Sequence, residues 1–222
     1  MKKILVRILL PVGLIFLILF LNLLFSSIIA SKITEGEPIT PTGSGRTALL
    51  VIDIQEGTTG VVSETKAYTS RSAGLIRNIN LLLDEALERE WSVIYIRSEV
   101  VNPLINVLNN TLARGSEGAK PDGRLAVKPG ATVIKHRNDA FNRTDLDRIL
   151  TENRVEHLVV AGLDAERCIR STVMAALNRG YRVSVIRDAV IARTGEGKTE
   201  ALEQLRVLGV EISDVSAFLS SP

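Results

Sequence analysis

A chain of 222 residues, 45% hydrophobic and 23% charged, can enclose one sizeable core but hardly two. Its formal net charge of +2 is scattered, with no basic run or arginine and aromatic stripe to follow a phosphate backbone, so nucleic acid is excluded as the expected partner. One cysteine excludes an intramolecular disulfide, a dithiol redox motif and a cysteine-rich zinc site, and leaves a lone thiol that is either core filler or a reagent.

Lys2, Lys3 and Arg7 precede an apolar run from Ile8 to Ala30, broken only by Pro11, Gly13, Asn22, Ser26 and Ser27. That is about the twenty residues a helix needs to cross a bilayer. Ile28-Ile29-Ala30 puts a bulky residue where signal cleavage prefers a small one, so residues 1–30 are expected to persist as a single-pass anchor in the lipid bilayer. The basic residues ahead of the span place the N-terminus in the cytoplasm and the rest of the chain outside. Secretion after cleavage is the alternative. Residues 31–45, with Gly36, Pro38, Pro41, Gly43 and Gly45, read as a linker, and 46–222 as the globular domain.

Within that domain, strand-like runs alternate with helical periodicity. Thr47 to Asp53 is a continuous apolar run of the kind that a strand buried on both faces shows. Leu75, Ile76, Ile79, Leu82, Leu83, Ala86 and Leu87 recur at helical spacing and form one apolar stripe. Ser92 to Arg97 is a second strand and Ala131 to Lys135 a third. Thr144 caps a helix through about Asn153. His157 to Gly162 is the fourth strand, followed by a helix from about Glu166 to Arg179 that Gly180 ends. Arg182 to Arg187 is the fifth, a helix runs from about Lys198 to Leu208, and Val210 to Ile212 is the sixth. This order predicts an α/β fold: a three-layer, mostly parallel six-stranded sheet, Rossmann-like, with right-handed crossovers and helices on both faces.

In such sheets ligands bind beyond the carboxyl ends of the strands. Asp53, Lys135 and Cys168 each fall at or just past the carboxyl end of a different predicted strand. Each alone has an ordinary explanation: a loop cap, a solvated strand end, filler in a helix. Together they supply an acid-base group, a cation and a nucleophile at one mouth of one sheet. Cys168 also sits in the first turn of its helix, where the dipole and a nearby ammonium both favour thiolate, and a carboxylate close enough to take the thiol proton completes the set.

Four blocks, Ala48 to Gln55, Lys135 with Asp139 to Phe141 and Thr144 to Leu146, Val160 to Gly162 leading to Cys168, and Gly180 to Ala189, resemble in order the signatures of the isochorismatase-like cysteine hydrolases. The resemblance extends over nearly all of Arg46 to Phe218. It implies a catalytic set of Asp53, Lys135 and Cys168, a cis peptide at Leu163-Asp164, and an oxyanion hole from the N–H groups of Asp164 and Cys168. It also implies a pocket position at Gln55, with Phe141 a further pocket candidate, and a homodimer or homotetramer. Where many members carry threonine, Leu163 to Arg167 reads Leu-Asp-Ala-Glu-Arg, giving a more charged pocket floor. The stretch Ser98 to Pro103 lacks the histidine with which nicotinamidase-type members hold a metal, so no metal and no cofactor are expected. His136 and His157 lie in or beside strands and read as structural. Members that open a vinyl ether lack the nucleophilic cysteine, and its presence here points to a small-molecule amide, carbamoyl or ureido substrate.

Two other classes fit parts of the sequence. Ala192 to Thr199 satisfies a permissive P-loop pattern, but Asp188 to Ile191 stands between it and the preceding strand, and it follows the acidic strand instead of preceding it. A non-catalytic binding module of the same fold is the other alternative.

Overall fold

The computed structural model describes residues 2–43 and 45–220, apart from the side chains of residues 2–12, 15 and 16. Six strands, β1 (Arg46–Ile52), β2 (Ser92–Ser98), β3 (Ala131–Lys135), β4 (Val155–Leu163), β5 (Arg182–Ile191) and β6 (Glu211–Ser213), form one sheet. Their order is β3-β2-β1-β4-β5-β6 and every neighbouring pair is parallel. The chain builds outward from β1 to β3, then crosses back to place β4 on the other side of β1. The resulting switch point between β1 and β4 is where a crevice opens at the carboxyl ends of such a sheet.

Alternation along β1 explains the layers. Ala48, Leu50 and Ile52 enter one core, under α4 (Leu146–Glu152), α5 (Arg170–Asn178) and α6 (Gly195–Val207). Leu49 and Val51 enter the other, under α2 (Lys66–Glu88) and α7 (Val215–Leu219). The stripe from Leu75 to Ala86 is the buried face of α2, while Leu87, read as part of it, is exposed.

The β1–β4 seam is tight. Gly162 pairs with Ile52 at φ 124°, and a Cβ there would lie 2.0 Å from the Ile52 carbonyl oxygen. Neither the backbone region nor the space admits a side chain. Gly162→Ala should therefore cost about 4 kcal/mol, seen in a thermal melt as a fall of roughly 10 °C or more.

The strands fall within two residues of where the periodicity puts them, except at the end of β5. β5 does not stop near Arg187 but continues to Ile191, because Arg187 and Asp188 point outward at a register shift and Ala189 to Ile191 are buried again. A short helix α3 (Pro103–Leu108), a 3₁₀ turn (Glu117–Ala119) and α7 carry no periodicity long enough to read.

Helix α1 (Lys2–Ala30) occupies the N-terminal apolar run. Among the described residues no helix is long and apolar enough to cross a membrane, and part of the expected span falls on side chains outside that description. The fold itself thus lends the anchor no support. The segment after α1 is also no free tether. Thr34 donates its N–H and Oγ–H to Asp139, the Ile39 N–H donates to the Arg179 carbonyl, and Thr42 donates twice to Glu156.

Candidate active site

Asp53 is the first residue past β1. Its backbone is left-handed at φ 58°, a conformation that aspartate tolerates better than most residues, and its N–H is held by the Ile96 carbonyl at 2.8 Å. Lys135 is the last residue of β3, two strands away. Ser98, its register partner on β2, bridges the gap. Ser98 Oγ donates to Asp53 Oδ1 at 2.8 Å and accepts from Lys135 Nζ at 2.6 Å. Lys135 Nζ also reaches Asp53 Oδ2 at 2.9 Å and Cys168 Sγ at 3.1 Å, so its three protons are all directed.

Lys135 is 1% exposed and Asp53 4%. An ammonium so enclosed persists only because a carboxylate offsets it. Burial works against its charge, yet the Asp53 carboxylate and the Cys168 sulfur hold its pKa well above the ordinary lysine value.

Cys168 lies not in an α-helical first turn but in a π-turn, Ala165–Ile169, that precedes α5. The turn hangs on Asp164, whose carbonyl accepts from Arg167 and Ile169 and whose carboxylate accepts from Glu166 N–H, Tyr68 Oη–H and Arg193 N–H. The Leu163-Asp164 bond is cis. Burial pushes Tyr68 up to about 12, with the Asp164 charge adding to it.

The expectation of a thiolate is corrected. Burial pushes the Cys168 thiol up to about 12; Lys135 pulls it down, but Asp53 pushes it up again. The cation that would favour thiolate is already paired, so a sulfur anion would give the site a net negative charge with little water to screen it. At rest Cys168 is held as a neutral thiol. Alkylation by iodoacetamide should accordingly be slow near neutral pH and rise about tenfold per pH unit between about pH 7 and 9, as a mass shift on the single cysteine would record.

Of the other sequence candidates, Gln55 and Phe141 support the site from behind. Gln55 is fully buried: Nε2 donates to the carbonyls of Ser98 and Ala119, and Oε1 accepts from Ser98 N–H. It fixes the end of β2, and hence Ser98. Phe141 is buried against Tyr181, under the Arg179 guanidinium. Sequence reasoning missed Ser98 and Asn138, whose Oδ1 lies 3.8 Å from Sγ. Ser98 is within reach of the strand-end rule that finds the other three, since it lies one residue past the expected end of the second strand at Arg97.

The P-loop pattern does follow its strand directly, since β5 reaches Ile191. However, Thr194 Oγ1 caps α6 by accepting from Gly197 N–H, and the Glu166 carboxylate lies where a Cβ on Gly197 would meet it at 2.4 Å. A carboxylate already covers the place that a phosphate would take. Among the described residues no group of three or more histidine, cysteine or acidic side chains could hold a metal. A cavity of about 490 Å³ between residues 37–42 and Arg154 to Glu156 lies at the amino end of β4, remote from Cys168.

Residues 47–217 match the family model of the isochorismatase domain. The chain belongs to the isochorismatase family. It is a hydrolase of that family by fold and by the match across the whole sheet. A protein of Arabidopsis thaliana described as a "probable inactive nicotinamidase" is 31% identical over 185 residues, 74% of this chain and 90% of that one. N-carbamoylsarcosine amidase of an Arthrobacter species is 40% identical over 81 residues, 36% of this chain and only 31% of the relative. Among solved structures, an isochorismatase family protein from Desulfovibrio vulgaris superposes with TM-score 0.71 at 25% identity, covering 79% of this chain and 97% of the other. N-carbamoylsarcosine amidase from Thermoplasma acidophilum superposes with TM-score 0.66 at 26% identity, over 77% and 96%.

Proposed function

We propose that this isochorismatase-family hydrolase is a cysteine amidohydrolase, held at a membrane by α1, that cleaves a small amide, carbamoyl or ureido C–N bond through a thioester. The observation that carries it is the buried Lys135 ammonium, 2.9 Å from Asp53 Oδ2 and 3.1 Å from Cys168 Sγ. A structural ion pair has no need of a thiol on its third proton. The similarity to N-carbamoylsarcosine amidases supports the substrate class.

With the thiol neutral at rest, attack requires a base. Asp53 takes the S–H proton as Sγ bonds to the substrate carbonyl carbon. The N–H groups of Asp164 and Cys168 receive the oxyanion, each donor contributing roughly 3 kcal/mol. As the intermediate collapses, the C–N bond breaks and Asp53 passes its proton to the departing nitrogen, leaving the acyl group on sulfur. Water then enters, Asp53 takes one of its protons, and the resulting tetrahedral adduct expels sulfur, which regains the proton. Lys135 keeps its charge throughout and holds Asp53 and Sγ in reach of each other.

A panel of small amides, ureas and carbamoyl amino acids, scored for ammonia release, tests the activity, and intact mass after brief incubation tests the acyl-cysteine. Binding without release across the panel would make the protein a non-catalytic module and overturn the reading.

Support for the anchor comes from the sequence: the apolar run from Ile8 to Ala30 and the basic residues Lys2, Lys3 and Arg7 ahead of it. Alkaline washing should leave the full-length protein in the membrane, with residues from Arg46 onward open to protease from outside. Soluble protein beginning near Ser31 would instead mean a cleaved, secreted product.

A further inference from the structure

The reaction gives Lys135 and Asp53 their work and leaves the third polar side chain beside Cys168 Sγ idle. Asn138 Oδ1 lies 3.8 Å from Sγ, within reach of its S–H, and among the described residues its Nδ2 has no partner. The side chain is not needed to shape its own loop, because the backbone of Asn138 is held on both sides. Its N–H donates to the Ala30 carbonyl at 3.0 Å, and its carbonyl accepts from Thr172 Oγ1 at 3.4 Å. Thr172 is fully buried on α5, four residues beyond Cys168, and its Oγ1 also accepts from the Ala140 N–H at 3.1 Å. Loop and nucleophile thus share one support, and the amide of Asn138 is left over with its oxygen turned to the sulfur.

A further tie comes from outside residues 47–217. Asp139, fully buried, accepts the N–H and Oγ–H of Thr34 on Oδ2, at 2.8 and 2.7 Å. Thr34 is itself held through its carbonyl, which accepts from Asn178 Nδ2 at 3.0 Å at the end of α5. Ala30 and Thr34 therefore fasten Asn138 and Asp139, one after the other, to a strap that precedes the family domain.

What Oδ1 can do follows from the chemistry at Sγ. When Asp53 takes the S–H proton and Sγ bonds to the carbonyl carbon, Oδ1 loses the hydrogen in front of it. The departing nitrogen is separated from Sγ only by that carbon, so an N–H on it comes within hydrogen-bond reach of Oδ1. Departure requires the nitrogen lone pair to face the proton now on Asp53. An N–H held by Asn138 turns the lone pair that way. Asp53 cannot supply this contact itself, because its proton is the one being given.

We propose that Asn138 is a specificity-determining residue, whose Oδ1 accepts an N–H of the scissile amide, carbamoyl or ureido group, and that residues 30–34 hold it in place. This rests on the amidohydrolase reading and adds a requirement to it: the nitrogen that departs must carry a hydrogen.

The test compares straight-chain primary amides, acetamide to hexanamide, with the methyl esters of the same acids, on the full-length protein. An ester passes through the same acyl-cysteine but offers no N–H. Asn138→Leu keeps the branched shape and removes the acceptor. It should lower kcat/KM on the amides tenfold or more beyond any loss on the esters, mostly in kcat, because a desolvated N–H left unpaired costs at least the ~1.4 kcal/mol that such a change represents. Thr34→Val, which leaves Asp139 only the backbone N–H, should lower the amide-to-ester ratio about threefold, and Thr34→Ser should restore it. Damage to the fold or to the thiol would slow both substrates alike. An unchanged amide-to-ester ratio in Asn138→Leu would therefore overturn the assignment, and a parental ratio in Thr34→Val would overturn the part given to the strap. Acyl-cysteine formed from the esters, with no ammonia released from any amide, would instead sink the amidohydrolase reading.

Discussion

Replacing Cys168 by serine should lower turnover by about ten-thousandfold or more, on the order of what removal of a nucleophile costs where the rest of the site survives. The argument turns on proton affinity. Asp53 must take a proton from the attacking atom, and it can do so from a thiol only because that thiol, even pushed up to about 12, remains far more acidic than an alcohol. Lys135 cannot make up the difference, because two of its protons are held by Asp53 and Ser98 whatever occupies position 168. Fold and binding should be nearly untouched: the hydroxyl is smaller than the thiol but can take the same proton from Lys135. The expected result is a collapse of kcat, little change in KM, a melting temperature within a few degrees of the parent, and no acyl adduct by intact mass. Full activity in this variant would return Cys168 to the status of core filler. Near-total loss of folding would point to the same residue as packing, and Cys168→Ala, which asks for no polar partner, would then separate the two cases.

The site could be read from sequence because a parallel sheet gathers its strand ends at one edge, and Asp53, Lys135 and Cys168 are polar residues at three such ends. Strands were readable because burial on both faces leaves unbroken apolar runs, as in Leu49 to Ile52. What escaped was set by tertiary contact. Arg187 and Asp188 look like the end of a strand until the register shift beside Gly162 turns both outward. Gln55 looks like a pocket residue, and nothing local says that both ends of its amide are taken by the backbone of Ser98 and Ala119. The sequence gives the thiol a helix end and a cation, whereas its ionisation depends on burial and on that cation already being paired, which no local pattern carries. Ser31 to Gly45 has the composition of a tether, but side chains of Asp139 and Glu156, far away in sequence, bind it down.

Lys135→Met should be the most destabilising change within the catalytic set. The lysine is enclosed at the end of β3, and its ammonium is the partner of a carboxylate that is itself buried. Methionine keeps the length and the apolar stem, so the loss isolates the charge. Asp53 is then left in the interior with only neutral partners, the Ser98 hydroxyl and the Cys168 thiol, and an ion orphaned of its countercharge in this way costs about 3–5 kcal/mol. For a domain of this size the melting temperature should fall by roughly 10 °C or more. Adding Asp53→Asn removes the orphaned charge, so the double variant should recover much of the lost stability, a coupling that independent sites would not show. Neither variant should turn over substrate. The parent's pH profile carries the same signature. Lys135, with its pKa raised, keeps its proton in the folded state after the unfolded chain has begun to lose one near 10.5, and the raised thiol does the same from about 9 upward. Stability should therefore be fully present below about pH 9 and fall as pH rises above it. Denaturant melts across that range should show a slope that flattens in Cys168→Ala and flattens further when Lys135→Met is added. A double variant no more stable than Lys135→Met alone, with a parent whose stability is level through pH 11, would mean that the buried pair does not hold the charges assigned to it.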